Sequence, residues 1–263
     1  MDVYSFLEAV REKQPLVHHL TNWVTIYDCA QVVKSFGASP VMAHAPEEAA
    51  DMAGMASALV LNIGTLTVDF IESMKIAGRA ANSRNIPVVL DVCGAGATPF
   101  RDRKSLELLD EIRISVIKGN GSEIARIAGR DVRTRGVDAS DVEADLRVIA
   151  ATLAKERNCA VVITGKEDIV ADSERMYIVR NGNEMMSRVV GTGCMAASVI
   201  GTFVGASPNT PSAAAAAGLS CFEIAAELAL EKAGGPATFK QLLFDCIYNL
   251  SENDVAAMQK VGQ

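Results

Sequence analysis

Short β-branched or apolar runs alternate with longer amphipathic stretches along this chain, the habit of strands and helices in a mostly parallel sheet. The pattern predicts strands at Leu16–His19, Pro40–Met42, Ala58–Ile63, Val88–Asp91, Ser115–Lys118 and Val161–Thr164. An N-terminal amphipathic helix precedes them, and further helices are predicted near Ile26–Phe36, Pro46–Met55, Val68–Asn85, Ser105–Glu111 and Val142–Arg157. Leu59-Val60-Leu61 and Val88-Val89-Leu90 are apolar without alternation, as expected of strands covered by helices on both faces. Asp168–Ala171 and Met176–Val179, two short runs around Asp172-Ser173, predict an antiparallel hairpin at one sheet edge. From Gly193 onward the pattern is helical, with segments Met195–Val204, Ser212–Lys232 and Thr238–Asn249 and a break at Gly234-Gly235-Pro236. With no internal repeat or linker in view, one α/β domain over residues 1–263 is expected.

Composition narrows this picture. The 263 residues are 49% hydrophobic and 22% charged, enough apolar material for a sizeable core. A net charge of -7 and a pI near 5.1 argue against nucleic acid or an anionic membrane as partner, and an anionic substrate needs a local positive site. Cysteines 29, 93, 159, 194, 221 and 246 form no CxxC or Cys/His pair, which predicts reduced thiols in a cytoplasmic protein rather than a disulfide framework or zinc site. The acidic N-terminus lacks the order of a signal peptide, and no apolar run is read as membrane-spanning. His18, His19 and His44 have no metal-binding spacing, and Trp23 and Met185-Met186 read as packing residues.

In open α/β sheets ligands bind just past the carboxyl ends of strands, and those ends are polar here. They carry Thr21-Asn22, Asn62 with Gly64-Thr65, Asp91, Lys118-Gly119-Asn120, and Thr164-Gly165-Lys166. Each alone is also a normal turn or cap residue; five at one sheet edge predict a crevice. Met42, past Ser39-Pro40, is either core or a soft wall against an aromatic ring.

The strongest local feature is Val189-Val190-Gly191-Thr192-Gly193-Cys194-Met195, a glycine-rich turn before an apolar helix. Backbone N–H groups at such a helix start favour phosphate or a transient oxyanion; the alternative is an ordinary N-cap by Thr192. It is neither a Walker A loop nor a Rossmann fingerprint. Cys194 is either a thiolate stabilised at the helix start or a small buried hydrophobe. Asp91 and Glu123 have the oxygen chemistry to hold Mg²⁺. Lys118 either meets a nucleotide phosphate or is a surface lysine, and Glu123 is otherwise a first-turn helix charge.

Five segments taken together resemble the hydroxyethylthiazole kinase family, ribokinase-like enzymes of thiamine salvage. They are residues 15–22 (PLVHHLTN), 37–42 (GASPVM), 61–66 (LNIGTL), 116–123 (VIKGNGSE) and 191–194 (GTGC). The resemblance implies a ribokinase-like three-layer sandwich and transfer of the ATP γ-phosphoryl group to the alcohol of 4-methyl-5-(2-hydroxyethyl)thiazole. It implies that Cys194 stands where related kinases have a catalytic Asp, and that Gly191, Thr192 and Gly193 form an anion hole. It further implies that Asp91 and Glu123 organise magnesium, that Lys118, Asn120 and Thr164 contact ATP, and that Asn22, Val24, Met42 and Gly191 line the thiazole pocket of a homotrimer with its sites between subunits. Lys118 replaces a common Arg, Val92-Cys93 a usual Pro-Val, His19 a usual Asn and His44 a common Asp. Phosphorylation of another heterocyclic alcohol such as hydroxymethylpyrimidine, a nucleotide-dependent hydro-lyase of hydrated NAD(P)H, and a non-catalytic nucleotide sensor are the rival readings.

Overall fold

The computed structural model describes residues 1–130 and 139–263. Six parallel strands carry the body of the sheet: β1 (Leu16–Leu20), β2 (Ser39–Val41), β3 (Ala58–Asn62), β4 (Val88–Asp91), β5 (Val116–Asn120) and β6 (Ala160–Thr164). The antiparallel strands β7 (Asp168–Ala171), β8 (Met176–Val179) and β9 (Val261–Gly262) extend one edge, in the order β2-β1-β3-β4-β5-β6-β7-β8-β9. The sequence pattern anticipates all of these except β9, whose two residues are too short to show periodicity. Its Met42 falls just past β2 rather than in it.

Neighbouring residues of one strand feed opposite cores, which is why the runs do not alternate in polarity. Ala58 and Val60 face one apolar cluster with Phe36, Phe203 and Phe222, while Leu59 and Leu61 face another with Ile71, Met74 and Leu90. Helices α1 (Val3–Lys13), α2 (Ile26–Ser35), α8 (Thr192–Ala206), α9 (Pro211–Leu230), α10 (Pro236–Asn249) and α11 (Glu252–Met258) cover the first side. On the second lie α3 (Pro46–Met55), α4 (Val68–Ser83), α5 (Pro99–Glu111), α6 (Gly121–Ile127) and α7 (Ala139–Arg157). The result is a three-layer α/β sandwich with helices on both faces.

Three elements differ from the expectation for readable reasons. Helix α5 starts at Pro99 rather than Ser105, because the Thr98 hydroxyl accepts the Arg101 N–H and Pro99 suits the first turn. Helix α6, not anticipated, is opened by a reciprocal capping box between Asn120 and Glu123. Helix α9 is long and apolar enough by length and composition to cross a membrane, contrary to the sequence reading; here most of it is buried, with Ala214–Ala217 fully inside.

Close packing explains one glycine. A Cβ at Gly201 of α8 would stand 2.3 Å from Val60 Cγ2, so a helix that presents Gly201 there can lie directly on β3.

Candidate functional site

Strand register sets the first row of polar groups side by side. Asn62 of β3 pairs with Asp91 of β4, Asp91 with Lys118 of β5, and Asn120 with Thr164 of β6. The side chains continue this row as hydrogen bonds. Asn62 Nδ2 donates to Asp91 Oδ2 at 2.8 Å, and Lys118 Nζ lies 3.3 Å from the same oxygen. Asn22, just past β1, donates Nδ2 to Asn62 Oδ1 at 3.0 Å and to Cys194 Sγ at 3.1 Å. The Thr25 N–H and hydroxyl both donate to Asn22 Oδ1, at 3.1 and 3.0 Å, which holds the amide in that orientation.

The glycine turn closes over this row. Gly191 caps α8 with φ +98, and a Cβ there would stand 2.7 Å from Thr25 Cγ2, so both backbone and space demand glycine. No side chain caps the helix, and its first internal bond is Met195 N–H to the Gly191 carbonyl at 2.8 Å. The N–H groups of Thr192, Gly193 and Cys194 therefore precede the helix ladder and are available to an anion. Thr192 does not act as the cap: its hydroxyl donates backward to the Met186 carbonyl at 2.9 Å. At Gly193 a Cβ would lie 3.5 Å from Lys118 Nζ, so the turn and the lysine meet.

Charge in this cluster is finely divided. Asp91 is 1% exposed, and burial pushes its carboxyl up to about 7, reinforced by Cys194 and Glu123 and opposed by Lys118. Burial works against the Lys118 charge, yet the anionic neighbours Asp91, Cys194 and Glu123 outweigh it and hold its pKa above the usual lysine value. The Cys194 thiol is pulled down to about 5, first by its hydrogen bond with Cys93 against the cost of burial, then by Thr25, Lys118 and Asn22. Cys93 moves the opposite way, because its proton serves Cys194. Glu123 accepts the Gly94 and Asn120 N–H groups, each at 2.7 Å, which fixes its carboxylate.

Two hollows flank the cluster. A cleft of about 780 Å³ reaches Thr192 and Gly193 and runs past Thr164, Gly165 and Lys166 to Phe222 and Glu223; a second, of about 550 Å³, is lined by Gly94–Ala97, Asn120 and Glu123. A polar row at the strand ends, a cationic side chain and open helix N–H groups together suit a phosphorylated ligand.

A family model described as "HK: Hydroxyethylthiazole kinase family" matches residues 7–253. The chain belongs to the hydroxyethylthiazole kinase family. Curated hydroxyethylthiazole kinases from Methanosarcina mazei and Clostridium beijerinckii are 52% and 47% identical, each match spanning 98% of this chain, and 98% and 96% of the relative. The solved hydroxyethylthiazole kinase of Pyrococcus horikoshii superposes with a TM-score of 0.91 at 41% identity, over 99% of this chain and 98% of that one. A Bacillus subtilis ADP/ATP-dependent NAD(P)H-hydrate dehydratase, with a TM-score of 0.59, 13% identity and coverage of 92% and 91%, shares the fold alone.

Within this family member, Asn22, Asp91, Lys118, Gly191–Gly193 and Cys194 converge, and Thr164 lines the large cleft. Lys118 is 4% exposed, which rules out the surface-lysine reading. Asn120 sits apart from the large cleft. Its side chain accepts the Glu123 N–H and the Ser122 hydroxyl, and it lines the smaller hollow rather than the large one. Val24 stands 68% exposed, and Met42 is half-buried. Trp23, expected as packing, is 55% exposed and its ring lies 4.6 Å from His44 and 5.7 Å from Phe70. Sequence reasoning gave Cys93 no role and did not see Thr25 at all; neither carries a motif, and only the meeting of β4, α2 and α8 reveals them.

Proposed function

We propose that this chain, as one domain over residues 1–263, transfers the γ-phosphoryl group of ATP to the hydroxyl of 4-methyl-5-(2-hydroxyethyl)thiazole. The observation that carries this reading is the approach of Gly193 to Lys118 Nζ at a helix start whose first N–H groups have no internal partner. Phosphoryl transfer asks for alignment and charge neutralisation more than covalent chemistry. The amides of the Gly191–Cys194 turn and Lys118 supply both. Cys194, held by Asn22, orients the alcohol or takes its proton late, since a loose transition state needs little prior deprotonation.

Asp91 and Glu123 fit magnesium. Asp91 Oδ1 is buried without a hydrogen-bond partner, and each Glu123 oxygen receives a backbone N–H while keeping a lone pair. No group of three or more metal-ligating side chains occurs among the described residues, which accords with an ion held mostly through water and phosphate oxygens. The ion would neutralise charge on the phosphates.

The thiazole would sit against Asn22, Val24, Met42 and Gly191. Trp23, Val24, Tyr27 and Val190 are exposed apolar side chains near that pocket, an arrangement that favours a homotrimer whose subunits close one another's sites. The six free thiols fit the reducing cytoplasm, where ATP is supplied. Incubation of the protein with Mg-ATP and a panel of heterocyclic alcohols, followed by product mass, tests the reading. Phosphorylation of the thiazole alcohol is expected; a panel left unphosphorylated, or phosphorylated only at hydroxymethylpyrimidine, overturns it.

A further inference from the structure

The large cleft extends beyond Thr192 and Gly193. One wall there is apolar, formed by Met186, Leu219 and Phe222, a surface that suits the face of a flat ring. On the polar side two groups stop short of a partner. Asn183 Oδ1 accepts the Met185 N–H at 3.1 Å, which fixes the amide and leaves its buried Nδ2 without an acceptor. Glu223 of α9 is 7% exposed, and apart from the Asp168 carboxyl no described residue is hydrogen-bonded to its buried Oε2.

Glu223 is hydrogen-bonded to Asp168, whose Oδ1 accepts the Gly165 N–H at 2.9 Å. Burial raises both carboxyls, and their contact raises Glu223 further. Of the two, Glu223 is the carboxyl that favours its proton, and a proton shared with Asp168 leaves its other oxygen an acceptor. Gly182 brings donor and acceptor together. It precedes Asn183, has φ +98, and a Cβ there would stand 3.4 Å from Glu223 Cδ and 3.5 Å from Met186 Sδ.

We propose that Asn183 and Glu223 read the adenine ring of ATP, Asn183 Nδ2 donating to a ring nitrogen and the Glu223 carboxyl accepting from the exocyclic amine. The assignment rests on the kinase reading, because it takes the Thr192–Gly193 end of the cleft as the phosphate end. It adds a specificity device to that site. A donor beside an acceptor on a ring matches adenine; hypoxanthine carries a carbonyl in place of the amine and would set acceptor against acceptor. A buried polar group left unpaired by the wrong ligand discriminates strongly.

The test measures kcat and KM of the full chain for ATP, for ITP and for purine riboside triphosphate, which lacks the amine, with calorimetric binding of each nucleotide in parallel. Wild type should favour ATP by about tenfold or more over both analogues. Asn183→Asp keeps the acceptor that Met185 needs and replaces the donor; it should raise KM for ATP about tenfold, with a smaller effect on kcat. Glu223→Leu should erase the preference for ATP over purine riboside triphosphate, and Glu223→Gln, which retains an acceptor oxygen and can donate to Asp168, should recover most of it. Equal use of ATP and ITP by wild type, or an unchanged KM in Asn183→Asp, overturns the proposal. Absence of any phosphorylated thiazole sinks the kinase reading instead, and calorimetry then decides this one: a tenfold ATP preference supports it, equal affinities refute it.

Discussion

Asn62 Nδ2 donates to Asp91 Oδ2 at 2.8 Å while Asn62 Oδ1 accepts from Asn22 at 3.0 Å. One amide thus joins the row that holds the thiol to the row that holds the buried carboxylate. Because Asn22 also donates to Cys194, displacement at Asn62 would be felt at both.

Removal of this bridge should cost stability as well as turnover. Asn62→Ala leaves Asn22 and Asp91 each short of a buried partner, a loss of about 1–3 kcal/mol. Denaturant unfolding with an unchanged slope measures it, alongside a fall in kcat of about tenfold or more. Full stability and activity would show that water replaces the amide.

Cys194 should react as a thiolate at pH values where the other thiols do not. Its pKa of about 5 means that the thiolate fraction rises through pH 5 and is saturated by neutrality. Burial pushes Cys29 up to about 11, and Cys159 and Cys221 up to about 12. Iodoacetamide near pH 6.5 should therefore label Cys194 first, with a rate nearly flat at higher pH, as read by peptide mass. A rate still climbing steeply above pH 8 would contradict this.

Cys194→Asp should retain or raise turnover, since a carboxylate at the same helix start keeps the acceptor for Asn22 and the negative charge beside Lys118. The check is steady-state kinetics with measured binding of both substrates. A variant that binds both and turns over more than tenfold slower would speak for chemistry specific to sulfur.

Two glycines of the turn should fail differently. Gly191→Ala meets both a left-handed backbone and Thr25 at 2.7 Å, and should lose about 1–3 kcal/mol together with activity. Gly193→Ala meets only Lys118 Nζ at an ordinary 3.5 Å; it should fold with a near-normal Tm while its methyl intrudes where a phosphoryl oxygen would sit, raising KM for ATP. Equal melting temperatures for the two variants would undo the distinction.

Glu223 should make the protein less stable as pH rises. Its folded pKa lies well above that of the unfolded chain, so the native state keeps a proton that the unfolded chain has released, and stability declines as pH climbs through the carboxylate range. The Tm of Glu223→Gln should gain on that of wild type as pH climbs above the unfolded carboxylate value. Parallel Tm profiles for the two proteins would refute the assignment.

Much of this was legible before any coordinates. Unalternating runs at Leu59–Leu61 and Val88–Leu90 required a sheet covered on both faces, because residues pointing to either side must both be apolar. The glycine turn ahead of α8 marked a helix start with open N–H groups, and strand ends placed Asn22, Asn62, Asp91, Lys118 and Thr164 at one edge. Even the unanticipated α6 and the early start of α5 were written locally, in Asn120 with Glu123 and in Thr98-Pro99.

Tertiary structure alone decided how these groups act on one another. Periodicity reports which face of an element is apolar, but a pKa depends on distance, burial and charge summed over groups far apart in sequence. The Cys194 pKa falls because Cys93, Lys118 and the Asn22–Thr25 turn arrive beside it from three other segments. In the same way Asn120 turns to cap α6, Lys118 is buried rather than exposed, and Glu223 on an apolar helix meets Asp168 from a distant hairpin. Helix-capping chemistry is local and can be read along the chain; the division of protons among buried neighbours is not, because no neighbour exists until the chain has folded.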